Sequence, residues 1–136
     1  MSDVTAENKT LLEKAKQVAK NAYAPHSKFF VGACVLFDTG TCYSGCNVEN
    51  ASYGLSLCAE RNAISTAIAH GETGKLVKIA VYNPERKNCF PCGACRQWLF
   101  EFEKGQNITI ILENENSEPA AYSIRDLLPY GFELGK

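Results

Sequence analysis

The stretch "KLVKIAVYNPERKNCFPCGACRQWLFEFEKGQNITIILEN", residues 75–114, decides the fold. Its two ends, residues 75–83 and 107–114, are apolar runs typical of strands, and the segment 92–104 between them has the pattern of a helix. A strand, a helix and a second strand in this order form a crossover unit, whose two strands run parallel. The sequence therefore predicts a βαβ unit within an α/β fold.

The segments before this unit add two strands and two helices. Residues 5–22 place apolar side chains at helical spacing among lysines and acids, which predicts an amphipathic helix. The runs 29–37 and 41–49 are typical of strands, and the "DTG" between them favours an antiparallel hairpin. Residues 58–70 contain neither Gly nor Pro, so we expect a helix that ends at the glycine that follows.

A short last helix is expected near residues 123–129, and no repeat or linker divides the chain. We therefore expect a single domain, residues 1–136, in the α/β class. Its architecture is predicted to be three-layer α/β/α, with a mixed β-sheet between the helices.

Composition limits the classes of function. The chain has 136 residues, of which 46% are hydrophobic and 21% charged, and no apolar run approaches the roughly 20 residues that span a bilayer. The N-terminus lacks the apolar core of a secretory signal, so we expect a cytoplasmic protein. Fourteen basic and fifteen acidic residues give a net charge of -1, which offers a polyanion no electrostatic attraction. A small neutral substrate fits better than a nucleic acid or a membrane.

Seven cysteines are an odd number and too few for a disulfide scaffold, so thiols are expected to act as ligands, nucleophiles or core residues. Cys34 and Cys42 lie in strand-like runs and are interpreted as core residues. Cys58 begins one predicted helix, and Cys92 and Cys95 begin the crossover helix. Helix N-termini favour anions, so these thiols are biased toward the thiolate form that binds metal.

The spacing of these thiols is consistent with a zinc site. Cys92 and Cys95 lie three residues apart on the first helical turn and can share one ion. Cys58 supplies a third sulfur if the two helix starts meet. Three ligands without an obvious fourth are typical of a catalytic zinc ion that keeps one position for water.

Other interpretations of the cysteines stay open at this point. A CxxC pair after a strand is also typical of redox proteins. A structural four-cysteine site would need Cys42 and Cys46, which stand about 13 Å apart if both lie on one strand, at roughly 3.3 Å per residue. Cys46 and Cys89 remain alternative ligands. Neither His26 nor His70 lies beside a thiol in the sequence.

Five motifs occur in the order seen in a known family: "YAPHSKFFVGA" (23–33), "GCNVENASYGL" (45–55), "CAERNA" (58–63), "PCGACRQ" (91–97) and "DLLPYGF" (126–132). Cys-Ala-Glu followed by Pro-Cys-x-x-Cys resembles the zinc-dependent nucleoside and nucleobase deaminases, with a third Cys as the first ligand. Taken together, the motifs resemble the short, homotetrameric cytidine deaminases over about residues 22 to 132.

The resemblance implies a function and a set of site residues. It implies that cytidine and deoxycytidine are hydrolysed to uridine and deoxyuridine plus ammonia, as in pyrimidine salvage, by a homotetramer whose subunits share pockets. The residues that it places in the site are the zinc ligands Cys58, Cys92 and Cys95, which hold one Zn²⁺ per subunit, and the proton shuttle Glu60. The substrate-binding positions that it implies are Phe29, Asn47, Glu49, Ala51, Tyr53, Ala59 and Phe132. It also implies that Arg61 and Gln97 donate hydrogen bonds to the zinc-bound sulfurs.

The expected chemistry accounts for Arg61 and Glu60. Three thiolates and Zn²⁺ carry a net charge of -1, which weakens the metal as a Lewis acid, and Arg61 together with the helix N-termini offsets that charge. Glu60 is expected to take a proton from water and pass it to ring nitrogen N3, while the oxygen attacks C4.

Three residues depart from the usual pattern of the family. His26 stands where a tyrosine is common, Cys34 replaces an alanine, and Phe90 stands where a small residue usually precedes the proline, so it could reshape the outlet for ammonia. Two other functions stay open: deamination of another cytosine-containing substrate, such as an antibiotic nucleoside or a polynucleotide, and a zinc-stabilised binding module. The neutral charge argues against a polynucleotide, and Asn47-x-Glu49 argues for a free ribose.

Overall fold

The computed structural model describes residues 2–134, and within them five strands form one mixed sheet. The strands are β1 (Gly32–Phe37), β2 (Cys42–Cys46), β3 (Leu76–Tyr82), β4 (Thr109–Glu113) and β5 (Pro119–Ser123), and the sheet order is β2-β1-β3-β4-β5. Only the β3–β4 pair is parallel, and the β1–β2 pair is the expected antiparallel hairpin. The predicted βαβ unit and hairpin are therefore both confirmed.

Helices cover both faces of this sheet. They are α1 (Ser2–Ala19), α2 (Ala59–Ala69), α3 (Gly93–Glu101) and α4 (Ile124–Leu127). Helix α1 packs its Leu11, Leu12 and Ala15 on one face, against Cys34 of β1 and Ile111 of β4. The opposite face packs against α2 and α3, and its buried residues alternate along the strands with those that face α1. This is the predicted three-layer α/β/α arrangement.

The close packing of α2 on the hairpin depends on a glycine. A Cβ atom at Gly45 of β2 would lie 2.3 Å from the backbone nitrogen of Ala63 in α2, which is closer than any real contact. Because Gly45 has no side chain, the helix lies directly on the strand. The start of α2, which carries Cys58 and Glu60, is thereby fixed relative to the end of β2.

Several predicted boundaries are wrong. The first helix ends at Ala19 and not at residue 22, and β1 begins at Gly32 and not at residue 29. Strand β1 begins late because the Asn47 side chain forms hydrogen bonds with the backbone of Phe29 and Val31, in place of the hydrogen bonds that a neighbouring strand would form. The crossover helix ends at Glu101 and not at residue 104, since Lys104 and Gly105 both have positive φ.

Strand β5 was not predicted at all. Its sequence, "PAAYS", begins with a proline and contains two alanines, neither of which favours a strand. It forms because it lies at the edge of the sheet, where a proline at the first position costs no ladder hydrogen bond. In the portion of the chain that the structure covers, no helix combines the length and the apolar character needed to cross a bilayer.

Candidate active site

Three cysteine sulfurs meet where α2 and α3 begin. Cys58 is the N-cap residue of α2, Cys92 is the N-cap residue of α3, and Cys95 lies in the first turn of α3. Neither N-cap thiol forms the usual capping hydrogen bond to its own helix. The three Sγ atoms instead lie within 4.8 Å of one another. The two helix starts therefore meet, which is the condition for Cys58 to supply a third sulfur ligand.

Arg61 lies directly against this sulfur cluster. Its Nη2 atom donates a hydrogen bond to Cys58 Sγ at 3.2 Å, and its buried Nε–H has no hydrogen-bond partner among the described residues. The pKa of Cys58 is lowered to about 5, first because the Cys95 thiol donates to it and then because of Arg61. The same hydrogen bond and burial raise the pKa of Cys95. The cluster thus favours a thiolate with a guanidinium beside it.

This donor set fits zinc. Three cysteine sulfurs that can converge on one point are soft ligands of the kind that Zn²⁺ binds, and tetrahedral coordination leaves a fourth position for water. Among the residues that the structure describes, no other His, Cys, Asp or Glu group forms such a cluster. Cys46, at the end of β2, and Cys89 stay outside it. The convergence of a third sulfur also favours a metal site over a redox pair.

Glu60 lies in the first turn of α2, two residues after Cys58, and its side chain is buried. Burial raises the pKa of its carboxyl to about 7, and the negative charge of Cys58 adds to the effect. A carboxyl group that titrates near neutral pH can both accept and donate a proton during one reaction cycle. Glu60 is therefore suited to proton transfer.

Cys58, Cys92 and Glu60 line a cavity of about 490 Å³, whereas the buried Cys95 is not part of the lining. Polar side chains of the lining are Ser27, Asn47, Glu49 and Asn50. Most of the wall is apolar, and its residues include Phe29, Val31, Tyr53, Leu57, Ala59, Cys89 and Phe90. A cavity of this size, with a mostly apolar wall and a few polar groups, is typical of a site for a small molecule.

Asn47 and Glu49, two polar residues of the cavity lining, bind the loop that precedes β1. Asn47 Nδ2 donates to the carbonyl oxygen of Phe29 at 2.8 Å, and its Oδ1 accepts from the N–H of Val31 at 2.9 Å. The Glu49 carboxylate accepts from the N–H groups of His26 and Ser27, at 3.0 and 3.1 Å, and from the Ser27 hydroxyl. The Ser27 hydroxyl is the main reason why the pKa of Glu49 is lowered. Both side chains therefore fix the loop and still face the cavity.

The structure brings most of the expected site residues to this cavity. Those that line it are Cys58, Cys92, Glu60, Phe29, Asn47, Glu49, Tyr53 and Ala59. Ala51 is exposed on the loop between Asn50 and Tyr53 but is not part of the lining. Phe132 lies away from the cavity and is 68% exposed. Within one subunit, these last two residues do not reach the site.

Gln97 does not occupy the place that the sequence suggested. Its Nε2 donates to the carbonyl oxygen of Phe132 at 3.0 Å, and its Oε1 accepts from the N–H of Phe132 at 3.1 Å. Gln97 lies two residues after Cys95, so it points to a different side of α3. The amide is used at both ends to hold the C-terminal tail, and the described hydrogen bonds include none from Gln97 to a sulfur.

Arg96, which sequence reasoning missed, supports the loop before Cys92. It donates from Nε to the carbonyl oxygen of Pro91 at 2.8 Å and from Nη1 to that of Leu127 at 3.0 Å. It thereby ties the cysteine loop to α4. A guanidinium next to Cys95 was visible in the sequence, but its distant partner was not. Cys89, one of the alternative ligands, lines the cavity but stays outside the sulfur cluster.

Comparisons with known proteins agree with this geometry. The family described as the cytidine and deoxycytidylate deaminase zinc-binding region matches residues 5–112, which is more than half of the chain. A cytidine deaminase from Mycobacterium tuberculosis is 47% identical over 120 residues, covering 88% of this chain and 85% of the relative. A cytidine deaminase from Sporosarcina psychrophila is 38% identical over 122 residues, covering 90% and 88%.

A solved structure shows the same fold. The crystal structure of a cytidine deaminase from Burkholderia pseudomallei superimposes with a TM-score of 0.83 at 43% identity, covering 91% of this chain and 98% of the other. The fold and the sequence of this chain agree with those of cytidine deaminases along nearly its whole length, and its sulfur cluster fits the zinc-binding region of their family. The chain therefore belongs to the cytidine and deoxycytidylate deaminase family.

Proposed function

We propose that the protein is a zinc-dependent cytidine deaminase, which hydrolyses cytidine and deoxycytidine to uridine and deoxyuridine and releases ammonia. The observation that carries this proposal is the buried Glu60 carboxyl next to a cluster of three cysteine sulfurs, with Glu60, Cys58 and Cys92 on the wall of one cavity of nucleoside size. The relatives with the same fold and motifs are named cytidine deaminases.

Cys58, Cys92 and Cys95 would hold the zinc ion, which supplies Lewis acidity to a water molecule beside the sulfurs. Arg61 donates a hydrogen bond to Cys58 and so reduces the negative charge on its sulfur. The Lewis acidity at the site is therefore higher than three thiolates without this hydrogen bond would allow. The helix N-termini act in the same direction on Cys58 and Cys92.

Glu60 carries the protons. It takes one from the attacking water and delivers it to N3 of the cytosine ring, and a second transfer gives the amine the proton that it needs to leave as ammonia. Burial of Glu60 keeps bulk water from competing for these protons. Its pKa of about 7 lets the same carboxyl act first as a base and then as an acid.

The cavity orients the nucleoside. The cytosine ring lies against Phe29, whose backbone is fixed by the Asn47 amide, and the ribose hydroxyls bind to the polar side chains of Asn47 and Glu49. Ala59 offers its backbone at the start of α2, beside the sulfurs. The net charge of -1 supports a free nucleoside over a polynucleotide as substrate.

Ala51, Tyr53 and Phe132 are assigned to a contact between subunits of a homotetramer. Tyr53 is 76% exposed although it lines the cavity, and Phe132 is 68% exposed and outside the cavity of its own subunit. Exposed aromatic side chains of this kind mark interaction surfaces. In this arrangement a neighbouring subunit lends Phe132 to each pocket.

We place the protein in the cytoplasm, in pyrimidine salvage. All seven cysteines are free, and a site made of three thiolates needs a reducing compartment. Its product, uridine or deoxyuridine, is a nucleoside that further salvage enzymes consume.

A substrate panel tests the proposed function. Zinc-loaded protein is incubated with cytidine, deoxycytidine, cytosine and single-stranded DNA, and ammonia release is measured. We expect turnover of the two nucleosides and little or none of the free base or the DNA. Turnover of DNA alone would favour the polynucleotide substrate, and no turnover at stoichiometric zinc would favour a binding module.

A further inference from the structure

A large aromatic side chain that the mechanism does not use lies on the wall of the cavity. Phe90 lines the cavity together with Cys89 and Cys92, and it is 41% exposed. It precedes Cys92 by two residues, and the buried Pro91 separates them. Phe90 therefore lies on the cavity wall directly next to the segment that carries the Cys92 sulfur.

The Phe90 ring is held in place and does not hang free from a loop. It packs edge-to-face on Tyr122 of β5, with ring centroids 4.9 Å apart and an interplanar angle of 66°. Tyr122 is itself half-buried against the main core cluster. The backbone is fixed as well, because the N–H of Phe90 donates to Asn88 and the N–H of Asn88 donates to Glu113, each at 2.8 Å. The ring thus forms a firm wall.

The proposed mechanism indicates which part of the substrate comes close to this wall. Glu60 and the sulfurs act on the attacking water, and the amine leaves from the same ring carbon that the water attacks, so the amine must also lie near them. Cys89 and Phe90 come directly before Pro91 and Cys92 in the chain, and they line the same cavity as Cys92 and Glu60. In this arrangement the amine departs next to these two residues.

We propose that Phe90, braced by Tyr122, is a specificity-determining residue that limits the size of the amine released from C4. This inference rests on the proposed function. With an N4-methylated nucleoside, the C4–O bond forms and the C4–N bond breaks as for cytidine, and the proton delivered by Glu60 leaves on methylamine instead of ammonia. Both reactions need only water, so N4-methylcytidine and cytidine differ only in the size of the group on the leaving nitrogen.

The test compares kcat/KM for cytidine, N4-methylcytidine and 5-methylcytidine in the unaltered protein, Phe90→Ala, Phe90→Leu and the control Trp98→Leu. Trp98 is a similarly exposed aromatic of α3 that packs on Phe102 and does not line the cavity. We expect the unaltered protein to discriminate against the N4-methyl group at least about 10-fold. Phe90→Ala should reduce that discrimination by about 10-fold or more, within the roughly 10- to 200-fold that one methylene is worth in an apolar pocket.

Phe90→Leu, which keeps the segment apolar, should give a smaller relief in the same direction, and Trp98→Leu should give none. Equal rates for cytidine and N4-methylcytidine in the unaltered protein would overturn the proposal without any variant. Relief of discrimination against the 5-methyl group instead of the N4-methyl group would overturn it too, because the ring would then face C5. If the unaltered zinc-loaded protein does not deaminate cytidine, the proposed function itself is wrong, and this inference falls with it.

Discussion

Arg61 contacts a proposed zinc ligand without being a ligand itself, so a change at this residue separates tuning of the metal site from binding of the metal. Its guanidinium contacts Cys58 Sγ at 3.2 Å but offers no atom that binds a cation. We expect Arg61→Ala to keep zinc bound and to lower kcat by about 10- to 100-fold, the usual cost of losing a group that hydrogen-bonds a metal ligand. Zinc content and turnover are measured on the same preparation.

The matched control for this change is Arg125→Ala. Arg125 is a surface guanidinium that pairs with Glu103 at 2.7 Å and does not line the cavity, so its loss should leave kcat unchanged. If Arg61→Ala loses its zinc completely, Arg61 holds the site together and does not merely tune the charge on the sulfurs.

At the residue scale, sequence reasoning succeeded where chemistry depends on neighbours along the chain. Cys58, Glu60 and Arg61 share one helical turn, so their proximity could be inferred directly. Gln97 was assigned to the sulfurs and binds Phe132 instead, because its partner lies 35 residues further along the chain. The support that Arg96 gives to the cysteine loop was missed for the same reason.

At the scale of elements, one buried carboxylate connects α1, β4 and the segment before Cys92. The Glu113 carboxylate accepts from Lys16 Nζ at 2.9 Å and from Lys87 Nζ at 2.6 Å, and its side chain is only 7% exposed. Burial by itself would raise the pKa of Glu113, but the hydrogen bonds from Lys87 and Lys16 outweigh burial and lower it. The ionised form is therefore the one that stabilises the fold.

The sign of the pH dependence follows from this lowered pKa. Stabilisation by Glu113 is complete above the pKa of an unfolded Glu, about 4.3, and is lost as the pH falls through the lower folded value. We expect Glu113→Gln to reduce the free energy of unfolding at neutral pH by about 1.5–3 kcal/mol. The difference from the unaltered protein should shrink below about pH 4, as urea unfolding at several pH values can show.

Glu118→Gln is the control for this prediction. Glu118 is an exposed carboxylate that lies 3.8 Å from Lys9, and such surface pairs contribute little. A stability difference for Glu113→Gln that stays constant from neutral to acid pH would mean that its charge does not stabilise the fold.

Elements with strong local patterns could be predicted from the sequence, and the others could not. The amphipathic spacing of α1 and the apolar runs of β3 and β4 suffice to identify them. Strand β5 has a proline and two alanines, and only pairing with β4 makes it a strand. The loop before β1 carries strand-like residues but is held by the Asn47 side chain, which no local pattern reveals.

At the scale of the whole molecule, we expect a tetramer in which each pocket receives Phe132 from a neighbour. Phe132→Ala should lower kcat/KM for cytidine although Phe132 lies outside the cavity of its own subunit. Leu134→Ala, at an even more exposed position of the same tail, should have little effect. Sedimentation gives the oligomeric state, and a fully active monomer would contradict this arrangement.

Mixing two impaired variants makes the sharing of pockets visible. In a tetramer assembled from Phe132→Ala and Glu60→Gln subunits, some pockets combine an intact Glu60 with an intact Phe132 from the neighbour. Activity per subunit should therefore rise above that of either variant alone on mixing and refolding, and it should not if each pocket is built from one chain.

Turnover by zinc-replete Glu60→Gln protein shows most clearly whether Glu60 carries the protons. Glutamine keeps the size of the side chain but cannot move protons, and position 60 is not a metal ligand in the sulfur cluster. We predict full zinc content and cytidine binding close to normal. We also predict a loss in kcat beyond the roughly 10²- to 10⁴-fold of a single general acid or base, since Glu60 serves several transfers. Near-normal turnover by this zinc-replete variant would contradict the account.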